Sequence, residues 1–202
     1  MNAIVLAAGL SRRMGRQKLL LPFGEGSILG TVLANLMRAD VFDTIALVIS
    51  CETLARFESL HPSLLSAMCP SLVAVVNRRP EDGQAGSLRL GLETAGGSDF
   101  CVTLGDLPLI SAAQYAKYAG IFLSRPEKFT ALVPKRGAVL GHPVFFSPVW
   151  QERLAASVGD AGGRGAIRAH EEEVLRMRGE DAFFQDVDTA EDYAAIAQNG
   201  QT

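Results

Sequence analysis

Apolar residues along this chain fall into short unbroken runs separated by stretches with helical spacing. Ala3 to Ala7 is the first run, and nothing in it alternates, so it predicts a strand buried on both faces, as in a parallel sheet. Thr44 to Ile49, Leu72 to Val76, Phe100 to Leu104 and Phe129 to Val133 repeat the pattern. Between the first two, Ile28, Leu29, Val32, Leu33, Leu36 and Met37 recur at helical spacing. Ser27 is placed to cap that helix, which reaches about Ala39. A second helix starts at Glu52 and ends or kinks near Leu60, because Pro62 interrupts its pattern. A third runs from the loop at Asn77 to Ser87 through about Glu93, and a fourth from Ser111 to about Leu123. Strand and helix thus alternate over the first 130 residues, which predicts an α/β fold of right-handed βαβ units with a mostly parallel sheet.

Beyond that point the pattern loosens. Gly141 to Phe146 reads as a short strand, Pro148 to Ala156 as a helix, Gly159 to Gly165 as a glycine-rich loop and Ala166 to His170 as helix. Val174 to Met177 and Phe184 to Val187 read as further short strands. Asp188 or Thr189 then caps a last helix with acids in its first turn.

Composition narrows the class. A chain of 202 residues with 48% hydrophobic positions suits one domain with a substantial core. Its net charge of −3 argues against a general nucleic-acid binder, whose footprint is a strong basic excess. No apolar run approaches the ~20 residues of a membrane helix, and no basic segment precedes the first run as in a secretion leader. Cys51, Cys69 and Cys101 are odd in number and lack metal-type spacing, so reduced thiols and a cytoplasmic protein are expected.

Against this acidic background one stretch is basic. Directly after the first strand come Gly9, Gly15 and four cations, Arg12, Arg13, Arg16 and Lys18. Backbone N–H groups exposed at glycines, joined by fixed cations, make an anion site. A strand that feeds such a loop at the sheet's carboxyl edge is where open α/β folds bind ligands. The stretch is no P-loop, since Lys18 lies between Gln17 and Leu19 and is not followed by Ser or Thr. Nor is there a dinucleotide fingerprint: in Gly24, Gly26 and Gly30 the last glycine comes one residue late, and the set lies in the wrong place. A polyphosphate loop is the remaining reading. Asp106 follows the fourth strand and suits a magnesium ion, which takes one or two carboxylates and fills its shell with phosphate and water. Asp188 is the candidate partner, with Asp186 two residues away. His142 has no neighbouring acid or cysteine in sequence and reads as a substrate contact, not as a zinc ligand. With no Gly-Xaa-Ser-Xaa-Gly element, phosphoryl or nucleotidyl transfer is favoured over acyl chemistry.

The segment Leu6-Ala7-Ala8-Gly9-Leu10-Ser11-Arg12-Arg13-Met14-Gly15, followed by Lys18-Leu19, resembles the signature loop of nucleotidyltransferases that activate sugar and cofactor phosphates. Leu104-Gly105-Asp106-Leu107-Pro108 resembles their metal motif. Four further segments resemble the molybdenum cofactor cytidylyltransferase branch. They are Asn77 through Gln84 with Ser87-Leu88 and Gly91-Leu92; Gly141-His142-Pro143-Val144; Gly159-Asp160-Ala161-Gly162 with Arg164; and Asp186 through Tyr193. The resemblance implies a Rossmann-like three-layer fold, with a nucleotide-binding part to about residue 110 and an acceptor-binding part beyond it. It implies transfer of CMP from CTP to the phosphate of molybdopterin or the molybdenum cofactor, with Mg²⁺ as cofactor and a molybdoenzyme as client. It also implies that Leu6, Ala7, Ala8, Gly9, Ser11, Arg12, Arg13, Met14, Gly15 and Lys18 hold the triphosphate. On the same basis Gln84 and Ser87 lie by the nucleotide, Asp106 and Asp188 hold the metal, and His142 and Arg164 face the acceptor. Arg12, Lys18 and Asp106 are the implied catalytic set. Related guanylyltransferases carry Gly-Gly where this chain has Ala8-Gly9, which favours the cytidylyl branch. Ala85, Gly86 and Gly163 depart from the branch pattern on the substrate side. A transferase with another base or acceptor, and a cofactor carrier, are the alternatives.

Overall fold

The computed structural model describes residues 1–9, 17–62, 71–157 and 163–197. The expectations placed on Leu10 to Arg16, on Cys69 and on Gly159 to Gly162 lie outside them. In chain order the elements are β1 (Asn2–Ala7), β2 (Pro22–Phe23), β3 (Gly26–Ser27), α1 (Ile28–Arg38), β4 (Thr44–Ser50), α2 (Cys51–Leu60), β5 (Leu72–Asn77), α3 (Gly83–Ala95), β6 (Phe100–Leu104), α4 (Ala112–Leu123), β7 (Ala131–Arg136), β8 (Val139–Leu140), β9 (Val144–Phe146), α5 (Trp150–Ala155), α6 (Arg164–Ala169), β10 (Val174–Arg178) and α7 (Ala190–Ala197).

The main sheet runs β10-β7-β9-β6-β1-β4-β5, with β8 added beside β7. Only β9 and β8 pair antiparallel in it. The apolar run at β1 has parallel strands on both sides, with Ala3 opposite Ile45 of β4 and Cys101 of β6. Its side chains divide between two cores, which is why it shows no alternation. Ala3, Val5 and Ala7 pack with residues of α1, α2 and α4, while Ile4 packs with residues of α3, α5 and α6. The result is a three-layer α/β arrangement with helices on both faces of a mostly parallel sheet.

Helix starts follow the expected caps. Ser27 Oγ accepts from the Gly30 N–H at 3.1 Å. Ser111 and Gln114 form a reciprocal capping box on α4. At α7 the cap is Thr189, whose Oγ1 accepts from Asp192 N–H at 3.1 Å while the Asp192 carboxylate accepts from Thr189 N–H at 2.8 Å. That choice leaves the Asp188 side chain to point elsewhere.

Two expected strands differ. Phe184 to Val187 is not a strand: a 3-10 turn occupies Asp181–Phe184, and a segment without regular structure follows. The segment has one sheet-like bond, from Val187 N–H to the Asp106 carbonyl at 3.2 Å, too little for a ladder. The strand expected from Gly141 begins only at Val144. Pro143 has no N–H to give a ladder, and His142 N–H goes to the Phe183 carbonyl at 3.1 Å.

Candidate active site

From β1 the chain proceeds outward through β4 to β5, then returns to place β6 on the other side of β1. The order reverses there, and the carboxyl edge at such a switch point is where open α/β sheets bind ligands. Gly105 lets the loop after β6 begin close to the end of β1. Its N–H donates to the Leu6 carbonyl at 3.0 Å, and a Cβ there would sit 3.1 Å from both Ala7 Cβ and Leu29 Cδ1.

Asp106 follows at once, and Lys18 reaches it from a 3-10 turn at Lys18–Leu20. The ammonium Nζ donates to Asp106 Oδ2 at 2.6 Å and to Asp188 Oδ1 at 2.7 Å. Lys18 and Asp106 side chains are only 14% and 13% exposed, so water screens this junction weakly. Burial opposes the charge on Lys18, but the two carboxylates outweigh it and raise the ammonium's pKa. The Val187–Asp106 backbone bond sets the 186–188 segment alongside. In that segment Asp186 and Asp188 leave Val187, which is fully buried, between them. One oxygen from each of Asp106, Asp186 and Asp188 lies within 4.8 Å of the other two. Asp106 Oδ1 is buried with no hydrogen-bond partner. A buried oxygen left over from such a network calls for an explanation, and three clustered carboxylates with a spare oxygen are the donor set of a hard divalent cation. The residues present fit that ion.

Asp186, read from the sequence only as a substitute for Asp188, is the third member of the cluster. Burial, then the charges of Asp106 and Asp188, raise its pKa above the ordinary 3.8. The i, i+2 spacing of Asp186 and Asp188 around an apolar residue was the available signal, since extended chain turns such pairs to one side. A raised acid pKa means that the folded state holds its proton longer. Its stability therefore falls as pH rises from near the ordinary value through the raised one. Asp186→Asn removes that penalty, and Lys18 keeps both its partners. We expect metal-free Asp186→Asn to melt roughly 2–4 °C higher than wild type at neutral pH, the shift about 1 kcal/mol makes in a chain this size. The gain should vanish near pH 3. Thermal unfolding in EDTA followed by circular dichroism checks this, and no difference at neutral pH would mean the three carboxylates do not repel.

Asp186 also borders a cleft of about 190 Å³. The walls are mostly apolar, among them Leu6, Leu140, Phe146 and Phe184, and its other polar groups are Gln84, His142 and Arg164. His142 Nδ1 lies 3.3 Å from the Val102 carbonyl. A carbonyl only accepts, so Nδ1 carries the proton and neutral His142 keeps Nε2 as an acceptor. Burial, with a smaller contribution from nearby Arg164, holds its pKa down and keeps the ring neutral. Arg164 opens α6 and is exposed.

The expected site residues thus fall into two joined groups. Lys18, Asp106 and Asp188 meet in one cluster, while Leu6, Gln84, His142 and Arg164 line the cleft beside it. Ala7 and Ala8 are buried at the end of β1, and Gly9 is exposed after them. Ser87 is buried, and its Oγ accepts from Asn77 Nδ2 at 3.0 Å, while Asn77 Oδ1 accepts from Arg79 N–H at 2.8 Å. That pair ties the start of α3, and with it Gln84, to the end of β5. Ser11, Arg12, Arg13, Met14 and Gly15 lie outside the described residues.

The model of the MobA-like NTP transferase domain matches residues 3–174. The chain belongs to this family. As a MobA-like NTP transferase it is a nucleotidyltransferase. It is 27% identical over 146 residues to the molybdenum cofactor cytidylyltransferase of Escherichia coli strain K12, covering 72% of this chain and 69% of that one. Rv0371c from Mycobacterium tuberculosis H37Rv is 26% identical, with a TM-score of 0.79 over 98% of this chain and 97% of that one. A structure of Rv0371C in complex with manganese shares the fold at 24% identity, with a TM-score of 0.74 over 98% and 97% of the two chains. Among the described residues, no helix is long and apolar enough to cross a membrane.

Proposed function

We propose that this nucleotidyltransferase moves CMP from CTP to the phosphate of molybdopterin or the molybdenum cofactor, giving molybdopterin cytosine dinucleotide and pyrophosphate. The observation that carries this reading is the double position of Asp186, which belongs to the carboxylate cluster and to the cleft alike. A place for phosphate charge thereby adjoins a place for an acceptor with a ring system. The likeness to the E. coli cytidylyltransferase supports the base and the acceptor, and Ala8-Gly9 is consistent with the cytidylyl choice.

In this reading an oxygen of the acceptor phosphate attacks the α-phosphorus of CTP in line. The new P–O bond forms as the bond to the β-phosphate breaks, and the electron pair leaves with pyrophosphate. The loop from Leu6 to Gly15 cradles the triphosphate. Arg12 and Lys18 neutralise the charge that gathers on the leaving group. Gln84 lies by the nucleotide, its helix start held through Asn77 and Ser87. Arg164 faces the acceptor, and His142 Nε2 accepts a hydrogen bond from an acceptor N–H. Asp106 and Asp188 would hold Mg²⁺, with Asp186 close enough to join them. The ion, when bound, supplies charge neutralisation and polarises phosphate oxygens. The free thiols of Cys51 and Cys101 accord with a cytoplasmic setting, from which the product passes to a client molybdoenzyme.

The test follows pyrophosphate from purified protein with Mg²⁺ and either CTP or GTP, with and without molybdopterin. Release should require CTP and molybdopterin together. CTP binding without release would refute the acceptor, preferential release with GTP would refute the base, and pterin binding without nucleotide binding would make the chain a carrier.

A further inference from the structure

We propose that Lys18 is the resting counter-ion of the carboxylate cluster, and that a metal can enter only as the ammonium leaves it for a triphosphate. The inference rests on the nucleotidyl-transfer reading above and adds an order of events to it. Three carboxylates converge within 4.8 Å. The Lys18 ammonium already sits against two of them, at 2.6 and 2.7 Å, with Lys18 and Asp106 largely buried and Asp188 41% exposed. It occupies the position of opposite charge that a cation would take. An ion ligated by Asp106 would stand in contact range of that ammonium, with little water on that side to screen two positive charges.

The backbone and side chain of Lys18 differ in freedom. Leu20 N–H bonds to the Gln17 carbonyl at 3.0 Å and Leu21 N–H to the Lys18 carbonyl at 3.1 Å, while Leu19 is buried, so the turn is pinned. The lysine stem is four methylenes with rotatable bonds, and its ammonium is a point charge with no fixed geometry to lose. The head can therefore swing while the turn stays. Metal arriving alone must displace the ammonium and offers it nothing. Metal arriving with a triphosphate brings the ammonium a new anion. Metal and nucleotide are thus coupled, each raising the affinity for the other by the same factor.

Mn²⁺ is the probe, with its free form counted by electron paramagnetic resonance in the absence of nucleotide. Lys18→Met should bind Mn²⁺ alone at least about tenfold more tightly than wild type, the least expected from removing a like charge at such range. It should melt at a lower temperature when metal-free. Lys18→Gln, which keeps a polar head of similar length, should behave likewise and serves if Lys18→Met does not fold. Calorimetric titration with CTP, with and without saturating Mn²⁺, should show a large metal-dependent gain in wild type that shrinks at least about tenfold in either variant. Equal or weaker Mn²⁺ binding by both variants overturns the counter-ion role while leaving the site itself standing. Wild type that binds neither Mn²⁺ nor CTP, separately or together, overturns the nucleotidyl-transfer reading and this inference with it.

Discussion

Asp106→Asn is expected to lower pyrophosphate release by on the order of 10²-fold or more, the loss seen when one fixed electrostatic group is removed from such sites, while the protein stays folded. The substitution keeps the size and planarity of the side chain and removes only its charge. Oδ2 would no longer balance the Lys18 ammonium at 2.6 Å, and the buried Oδ1 would lose its affinity for a cation. Lys18 would keep Asp188, so the junction should not collapse. Release measured at saturating CTP, with circular dichroism as the control for folding, decides the matter. Turnover within a few fold of wild type would remove Asp106 from the chemistry.

The largest expected effect on stability lies on the opposite face of β1. Gly91 in α3 faces Ile4, and a Cβ at Gly91 would stand 2.3 Å from Ile4 Cγ2 and 3.2 Å from Val48 Cγ2. Both neighbours belong to central strands that are paired on each side, so neither can retreat. Gly91→Ala gains about 1 kcal/mol of helix propensity, but overpacking of this kind typically costs about 1–3 kcal/mol in net terms. We expect net destabilisation in urea unfolding. Because α3 carries Gln84, which the proposed reading places by the nucleotide, KM for CTP should rise as well. Ile4→Ala opens the space that the new methyl needs, so the double variant should be less destabilised than the two single changes added together. Simple additivity would show that helix and strand part without cost.

The parts of this molecule legible in its sequence are those written locally. Ala3 to Ala7 announced a central strand because a strand flanked on both faces has no polar side to show. Ser27 and Ser111 marked helix starts because a cap is a matter of three residues. Asp106 was legible because it ends a buried strand. What was not legible depends on chain segments meeting. Lys18 and Asp188 are 170 positions apart, and no local pattern records their contact. Phe184 to Val187 has strand composition, yet Phe184 lies where a Cβ on Gly141 or Gly179 would touch its ring, and no partner strand is at hand. Asp186 was ranked below Asp188, which lies at the loop–helix junction; that both join the cluster, and that Asp186 also walls the cleft, follows from tertiary placement alone. Ser87, read from the sequence as a nucleotide neighbour, also braces the loop through its bond to Asn77, a contact that depends on tertiary placement.

The 170-residue span between Lys18 and Asp188 also has a meaning for the protein's own manufacture. During synthesis Lys18 and Asp106 leave the ribosome well before residues 186–188 do. Until they do, Lys18 has one of its two carboxylates and the cluster one of its three. A nascent or prematurely stopped chain can therefore build most of the sheet yet lacks the charge pattern that makes the site. The cluster is therefore completed in one step, when residues 186–188 come to lie beside Asp106 and Lys18.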